Sequence, residues 1–295
     1  MIEFIPQEIL DIYKRVKAAN FEVYLVGGCV RNMLLKKPVK DWDMTTNATP
    51  QDLLKIFPGA FYDNKFGTVG VPLHTTVYGR LVIEITTFRK EKGFSDKRRP
   101  DKVEWGKSIE EDLARRDFTI NAIALSLVTS DPLRSEASKR QATSLIDPFN
   151  GQQDIKDKLV RAVGNPKERF KEDALRLMRA IRIATELSFT IEEKTRIEII
   201  ADAIYIKNVS GERIRIELLR ILGSERSYEG IMLLKNSNLL NYILPELIEG
   251  VGVSQKRPGR HHVDDVFTHN VLSLKFCPSK NPIVRFAALL HDVGK

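Results

Sequence analysis

Apolar spacing divides the chain into two textures. Up to about residue 150, short β-branched runs alternate with helical patterns. "MIEFIPQEILDIYKRVKAAN" reads as an amphipathic helix, and "FEVYLVGG" as a strand ending in glycines. "TVGVPLHTTVYG" and "RLVIEITTF" read as two strands joined at Gly79–Arg80, a hairpin-like pair. "TPQDLLKIF" reads as a helix with Thr49 at its N-cap and Pro50 at its first position. "SIEEDLARRDFTINAIALSLV" has Ser108 as a cap, Glu111 three residues on, and apolar spacing beyond. Residues 129–144 are polar and rich in breakers, so they read as a surface loop. From about Asp154 nearly everything reads as helix, including "NPKERFKEDALRLMRAIRIATEL" and "SGERIRIELLRIL". No repeat of fixed period interrupts this. The expected fold class is α+β: a head with a small mixed or antiparallel sheet and helices, followed by an all-helical part.

With 295 residues, 42% hydrophobic and 29% charged, the composition is that of an ordinary soluble protein with a sizeable core. No apolar run approaches a membrane span, and the acids near the start are unlike a signal peptide. The two cysteines, Cys29 and Cys277, allow neither a disulfide framework nor a cysteine-based zinc site, so a cytoplasmic setting is expected. The net charge of +8 is spread over both halves; it permits a polyanionic partner without requiring one.

"VKDWDMTT" at 39–46 narrows the chemistry. If this stretch is extended, Asp41 and Asp43 point to one face and Trp42 to the other. Two close carboxylates repel unless a cation lies between them, and Mg²⁺ takes oxygen ligands of this kind. Upstream, "LVGGCVRNMLL" puts glycines after a strand, where backbone can approach a phosphate, and Arg31 offers a fixed cation. In "LVIEITTF", Glu84 lies on the face opposite Leu81, Ile83 and Ile85 and could complete a two-metal cluster. A D-x-D pair alone reads more simply as solvated loop charges; the surrounding glycines, arginine and third acid favour chemistry. A Walker A sequence is absent.

In "ERFKEDALRLMRAIRIA", helical angles gather Phe170, Ala174, Leu177, Ile181 and Ala184 on one side. Glu172, Arg176 and Arg179 gather opposite, bordered by Asp173 and Arg182. The plain reading is a surface helix with Glu–Arg pairs. The preference for arginine over lysine also suits base edges and phosphates.

These segments together resemble the bacterial class II tRNA nucleotidyltransferases, or CCA-adding enzymes, over nearly the whole chain. "LVGGCVRNMLLKKPVKDWDMTT" resembles the family's metal-binding motif, and "EITTFRKEKGFSDKRRP" its third-carboxylate strand and following loop. "EEDLARRDFTINAIAL" resembles the ribose-reading motif, and "LIDPFNGQQDIKDKLVRAVGNPKERFKEDALRLMRAIRIA" the base-selecting neck. The resemblance implies a nucleotidyltransferase head over 1–147, a helical neck over 148–210 and an RNA-binding helical body over 211–295. It implies Mg²⁺ on Asp41 and Asp43, with Glu84 as a third catalytic acid. Gly28 and Arg31 would contact the triphosphate; Arg116, Asp117 and Asn121 belong to the ribose motif. Glu172, Asp173, Arg176, Arg179 and Arg182 would line the nucleotide pocket. The family's usual R-D after G-G-x-V is R-N here, at Asn32. The implied reaction is template-independent addition of CMP and AMP, from CTP and ATP, to the 3′ end of tRNA. No membrane or protein partner is implied.

Relatives within the class include poly(A) polymerases and enzymes adding only A or only CC. The "GTVGV" form resembles the CCA-adding side, and the full-length loop "RKEKGFSDKRRPDKVEW" leans away from CC alone. Two rivals lie outside the class. A D-x-D glycosyltransferase explains Asp41 and Asp43 but not the arginines; an RNA-binding module with an inactive head is opposed by the intact acids. From about residue 261, "VFTHNVLSL" and "AALLHDVGK" resemble the opening of an HD-type metal-dependent phosphohydrolase domain. His269, His291 and Asp292 match its first three ligands, and the set is incomplete because the distant fourth aspartate has no place in this sequence.

Overall fold

Val23, Leu25 and Val26 are enclosed, which places their strand inside the core of the first half. The computed structural model of the chain describes residues 2–64, 67–75, 79–92, 102–128, 142–254 and 265–294. The described residues up to Asp157 form one compact unit, and those from Lys158 form a second.

The first unit runs α1 (Gln7–Ala18), β1 (Val23–Val26), α2 (Gly28–Leu34), β2 (Asp43–Thr46), α3 (Pro50–Ile56), β3 (Phe61–Asn64), β4 (Thr68–Thr75) and β5 (Gly79–Thr87). It continues with β6 (Arg89–Lys92), β7 (Lys102–Trp105), α4 (Ile109–Ala114), the 3-10 turn Thr119–Asn121, β8 (Ala124–Val128), β9 (Ala142–Ile146) and α5 (Gly151–Lys156). Seven strands form one sheet in the order β3-β4-β5-β2-β1-β8-β9, with β6 and β7 paired separately. The β2–β5 pairing is parallel and the other described pairings of the sheet are antiparallel, so the expected α+β head with a mixed sheet is present.

Local signals set several elements. Thr49 caps α3: its hydroxyl accepts from the Asp52 amide while Asp52 accepts from the Thr49 amide at 3.2 Å, a reciprocal box. The buried Tyr13 ties α1 to β8 by accepting from the Leu127 amide at 3.0 Å. Ser108 caps α4 by accepting from the Glu111 amide, but the Glu111 carboxylate accepts from the Lys107 amide instead of closing the box.

Three expectations change. The segment opened by Ser108 is helical only to Ala114, and its apolar end is β8. Ala124 and Leu125 are wholly buried between β1 and β9, and such a run carries no period that separates strand from helix. The stretch read as a loop yields β9 at its end, whereas residues 129–141 lie outside the described residues. Gly79 and Arg80 are ladder residues opposite Thr75 and His74, not the joint itself.

The first compact unit runs past 147, to Asp157. The Asp147 carboxylate accepts from the amides of Gly151 and Gln152 and starts α5. Asp154 accepts from the Thr119 hydroxyl at 2.6 Å, and a Cβ on Gly151 would lie 2.2 Å from the Thr119 carbonyl oxygen. This close packing holds α5 to the first unit.

The second unit is helical, as expected. It runs β10 (Leu159–Val160), α6 (Pro166–Glu172), α7 (Leu175–Leu187), β11 (Thr190–Ile191), α8 (Glu193–Asp202), α9 (Gly211–Gly223), α10 (Ser227–Asn236), α11 (Leu240–Ile243), α12 (Pro245–Glu249), α13 (Val266–Phe276) and α14 (Pro282–Leu290). A two-residue parallel ladder joins β10 and β11. The central α7 buries Leu177, Met178, Ala180, Ile181 and Ala184. The long helix expected over 165–187 is broken at Asp173, which is extended (φ −150°, ψ 107°) between α6 and α7.

Candidate active site

The site in the head begins where β1 ends. Gly27 has φ +76°, which other residues rarely adopt. A Cβ there would stand 3.0 Å from Arg116 Nη1 and 3.5 Å from Asp43 Oδ2, so the glycine lets an arginine and a carboxylate close in on one point. Gly28 opens α2, and Arg31 follows one turn later. Arg31 Nη1 donates to Asn121 Oδ1 at 2.6 Å, and Asn121 Nδ2 donates to Asp117 Oδ1 at 3.1 Å. The structure therefore brings Gly28, Arg31, Asp117 and Asn121 together, with Arg116 beside Gly27. Asn32 serves the same group: its Oδ1 accepts from Arg31 Nε and Nη2 at 3.2 and 2.9 Å, and its Nδ2 donates to the Pro38 carbonyl.

The acids lie on the strands next to this turn. Asp43 is opposite Val26 in β1 and opposite Glu84 in β5. Residues paired in register project to the same side of a sheet. Trp42 is buried, Asp41 exposed and Asp43 half-buried, the alternation an extended stretch requires. Ile83 and Ile85 are fully buried while Glu84 is exposed. The three carboxylates do not converge within 4.8 Å of one another; among the described residues that proximity is reached by His269, His291 and Asp292.

Carboxylate oxygens such as those of Asp43 are the donor type a hard divalent ion takes. Cys29 lies beneath it, donating to the Val26 carbonyl at 3.0 Å. Burial, and then the Asp43 charge, push its thiol up to about 12, so no thiolate competes with the carboxylate oxygens.

Sequence reasoning missed Asp112. It is fully buried on α4, and each oxygen takes one arginine: Oδ1 from Arg115 at 2.7 Å, Oδ2 from Arg116 at 3.2 Å. Burial alone would raise its carboxyl; Arg115 and Arg116 hold it below its ordinary value. The signal was the three- and four-residue spacing to the two arginines.

In the helical unit the expected stripe is rearranged. Asp173 Oδ1 accepts from the Leu175 amide at 3.1 Å and so caps α7, and the carboxylate takes Arg213 Nη1 and Nη2 at 3.2 and 2.6 Å. Glu172 accepts from Arg169 at 2.8 Å and from Arg176, which also donates to the Arg169 carbonyl. Arg179 is half-buried on α7. Arg182, expected at the border of the polar face, is 5% exposed and ion-paired with Glu217 on α9 and with Glu186. Packing of α7 against α9 encloses this position and explains the difference.

At the C-terminal end, His269 Nε2 lies 3.1 Å from His291 Nε2, and Asp292 lies 3.5 and 3.6 Å from the two. Two imidazoles and a carboxylate at this spacing could hold one divalent transition ion.

Residues 23–161 match the family described as the Poly A polymerase head domain. Residues 188–250 match the Probable RNA and SrmB-binding site of polymerase A. The chain is 42% identical over 215 residues to a CCA-adding enzyme of Lactobacillus delbrueckii subsp. bulgaricus, covering 72% of this chain and 50% of that relative. It is similar to the Bacillus stearothermophilus CCA-adding enzyme in complex with CTP: 37% identity, TM-score 0.66, covering 81% of this chain and 53% of that one. It is also similar to a tRNA nucleotidyltransferase complexed with a primer tRNA and an incoming ATP analog: 26% identity, TM-score 0.69, covering 96% and 75%. The chain spans about half the length of the curated relatives it matches. With both halves of the chain matched in order and the relatives alike in sequence, the chain belongs to the family of bacterial CCA-adding enzymes and poly(A) polymerases.

Proposed function

We propose that the chain adds CMP and AMP, from CTP and ATP, to the 3′ end of tRNA without a nucleic-acid template, in the cytoplasm. The observation that carries this reading is the register of Asp43 with Glu84 beside the turn that holds Gly27, Arg31 and Arg116. The tRNA hydroxyl attacks the α-phosphate, the bond to the bridging oxygen breaks, and pyrophosphate leaves. Arg31, backed by Asn121 and Asn32, grips the triphosphate, and Asp117 fixes Asn121 for the ribose. Asp41 and Asp43, with Glu84 as the third acid, would hold a divalent ion, Mg²⁺ in this reading, which when bound stabilises charge on the transferring phosphate and the leaving pyrophosphate.

Base choice falls to the helical unit in this reading. Cytosine and adenine both offer an amine donor beside a ring-nitrogen acceptor. A carboxylate only accepts and an arginine only donates, so Asp173 with Arg176 matches that edge and opposes uracil and guanine. Both side chains already have protein partners, Arg213 and Glu172, yet a carboxylate has about four acceptor sites and a guanidinium five N–H groups, which leaves capacity for a base. Asp173→Ala or Arg176→Ala will lower the CTP-over-UTP ratio of kcat/KM by roughly 10–150-fold, the worth of one good bidentate base contact. An unchanged ratio in both variants would remove these residues from base choice.

The direct test is a tRNA lacking its last three nucleotides, incubated with each labelled NTP singly and mixed, then sequenced at its 3′ end. CCA ends support the reading; A-tracts on any RNA would make the chain a poly(A) polymerase, and no incorporation would reject it. The His269, His291 and Asp292 cluster stands apart from this chemistry in our reading. His291→Ala is expected to keep incorporation within about three-fold of the parent, since surface substitutions away from a site change little. Collapse of incorporation with an intact circular-dichroism spectrum would give the cluster a part in the reaction.

A further inference from the structure

Asp112 is an acid with no assigned work. Its side chain is fully enclosed, and an isolated buried carboxylate is costly unless cations satisfy it. Arg115 alone donates to it twice, from Nε at 3.0 Å and Nη2 at 2.7 Å, so charge balance does not need a second arginine. Arg116 nevertheless gives Nη2 to the other oxygen at 3.2 Å. That contact fixes the plane of its guanidinium, and the opposite end, Nη1, comes to the point beside Gly27 that Asp43 Oδ2 also flanks. Its Nε is buried and takes no hydrogen-bond partner among the described residues. Asp43 Oδ2 flanks the same point, so the direction in which Arg116 is held decides whether its Nη1 faces that point.

We propose that Asp112 is a positioning residue for nucleotide binding: it holds Arg116 beside Gly27, turned toward an incoming nucleotide. The proposal rests on the nucleotide site described under the proposed function. It assigns Asp112 no contact with substrate; the acid acts only through Arg116.

The test is calorimetric titration of the full chain with CTP, without primer, so that affinity is read apart from turnover. Asp112→Asn is expected to raise the Kd for CTP about ten-fold, the weight of one hydrogen bond to a charged group. Arg116→Ala is expected to raise it at least as far. Asp112→Asn added to Arg116→Ala should then change Kd by less than about two-fold, because residues acting through one another are not additive. A Kd at the parent value in Asp112→Asn, or the same loss with Arg116 already removed, would overturn the proposal. If Asp112→Asn fails to fold, Asp112→Asn with Arg115→Gln takes away the acid and the more tightly bound arginine together, leaving Arg116 as the one charge that has lost its partner, and is read the same way. A parent chain that does not bind CTP would instead overturn the nucleotide site itself, and this role with it.

Discussion

Asp43→Ala will abolish nucleotide incorporation while leaving tRNA affinity within about two-fold of the parent. Asp43 is half-buried at the first position of β2, so truncation there costs little packing. It removes the carboxylate nearest the turn that holds Arg116 and Gly27. Charge stabilisation by a bound divalent ion is worth several kcal/mol, so kcat should fall by roughly a thousand-fold or more. RNA grip comes from basic side chains on phosphates and does not pass through this acid. Single-turnover incorporation and a gel-shift titration measure the two quantities. Turnover near that of the parent would remove Asp43 from the reaction, and loss of tRNA binding would mean that the variant disturbs more than one site.

Arg182→Ala will be the most damaging single truncation in the helical unit. Arg182 and Glu217 are each about 6% exposed in their side chains, and Arg182 also takes Glu186 at 2.9 Å. Removing one partner of a buried pair leaves the other charged in a medium that solvates it poorly, at about 3–5 kcal/mol. For a protein of this size that lowers Tm by roughly 10 °C. Arg182→Met with Glu217→Leu removes both charges, and Glu186 keeps Arg220 at 3.0 Å, so most of the loss should return. Thermal melts of parent, single and double variants decide it. A single variant within about 1 °C of the parent would show that the pair adds nothing to stability.

Where structure is decided by neighbours in sequence, the reading held. Thr49 and Pro50 open α3, and the apolar spacing of residues 7–18 gives α1. The acid and arginine positions of the head were legible because glycine turns and strand alternation are local. Other features depend on partners far along the chain. Ala124–Val128 is a strand because β1 and β9 flank it, and nothing within "NAIALSLV" says so. The break at Asp173 follows from a cap to Leu175 and an ion pair with Arg213, forty residues away. Arg182 looked like a border position of a polar face, and its burial is tolerable because Glu217 on α9 joins Glu186 in pairing it. Asp112 was overlooked for a different reason: an E-E-D run at a helix start reads as ordinary dipole compensation, and nothing in the run itself shows that its third acid is wholly enclosed.

The parallel seam between β2 and β5 also says when the site comes into being. Asp43 and Glu84 are about forty residues apart, and they meet across the one parallel pairing described in the sheet. The β4–β5 hairpin and the β1–α2 turn close over short separations and can form early. The seam must wait, because closing a long loop costs entropy before any contact repays it. A chain emerging from the ribosome therefore holds its arginine turn before its acids are paired, and the centre ripens only when the hairpin docks. Slippage by one residue would turn Asp43 to the opposite face of the sheet and bring the buried side chain of Met44 out in its place, so hydrophobic burial keeps the strand that carries Asp43 in register.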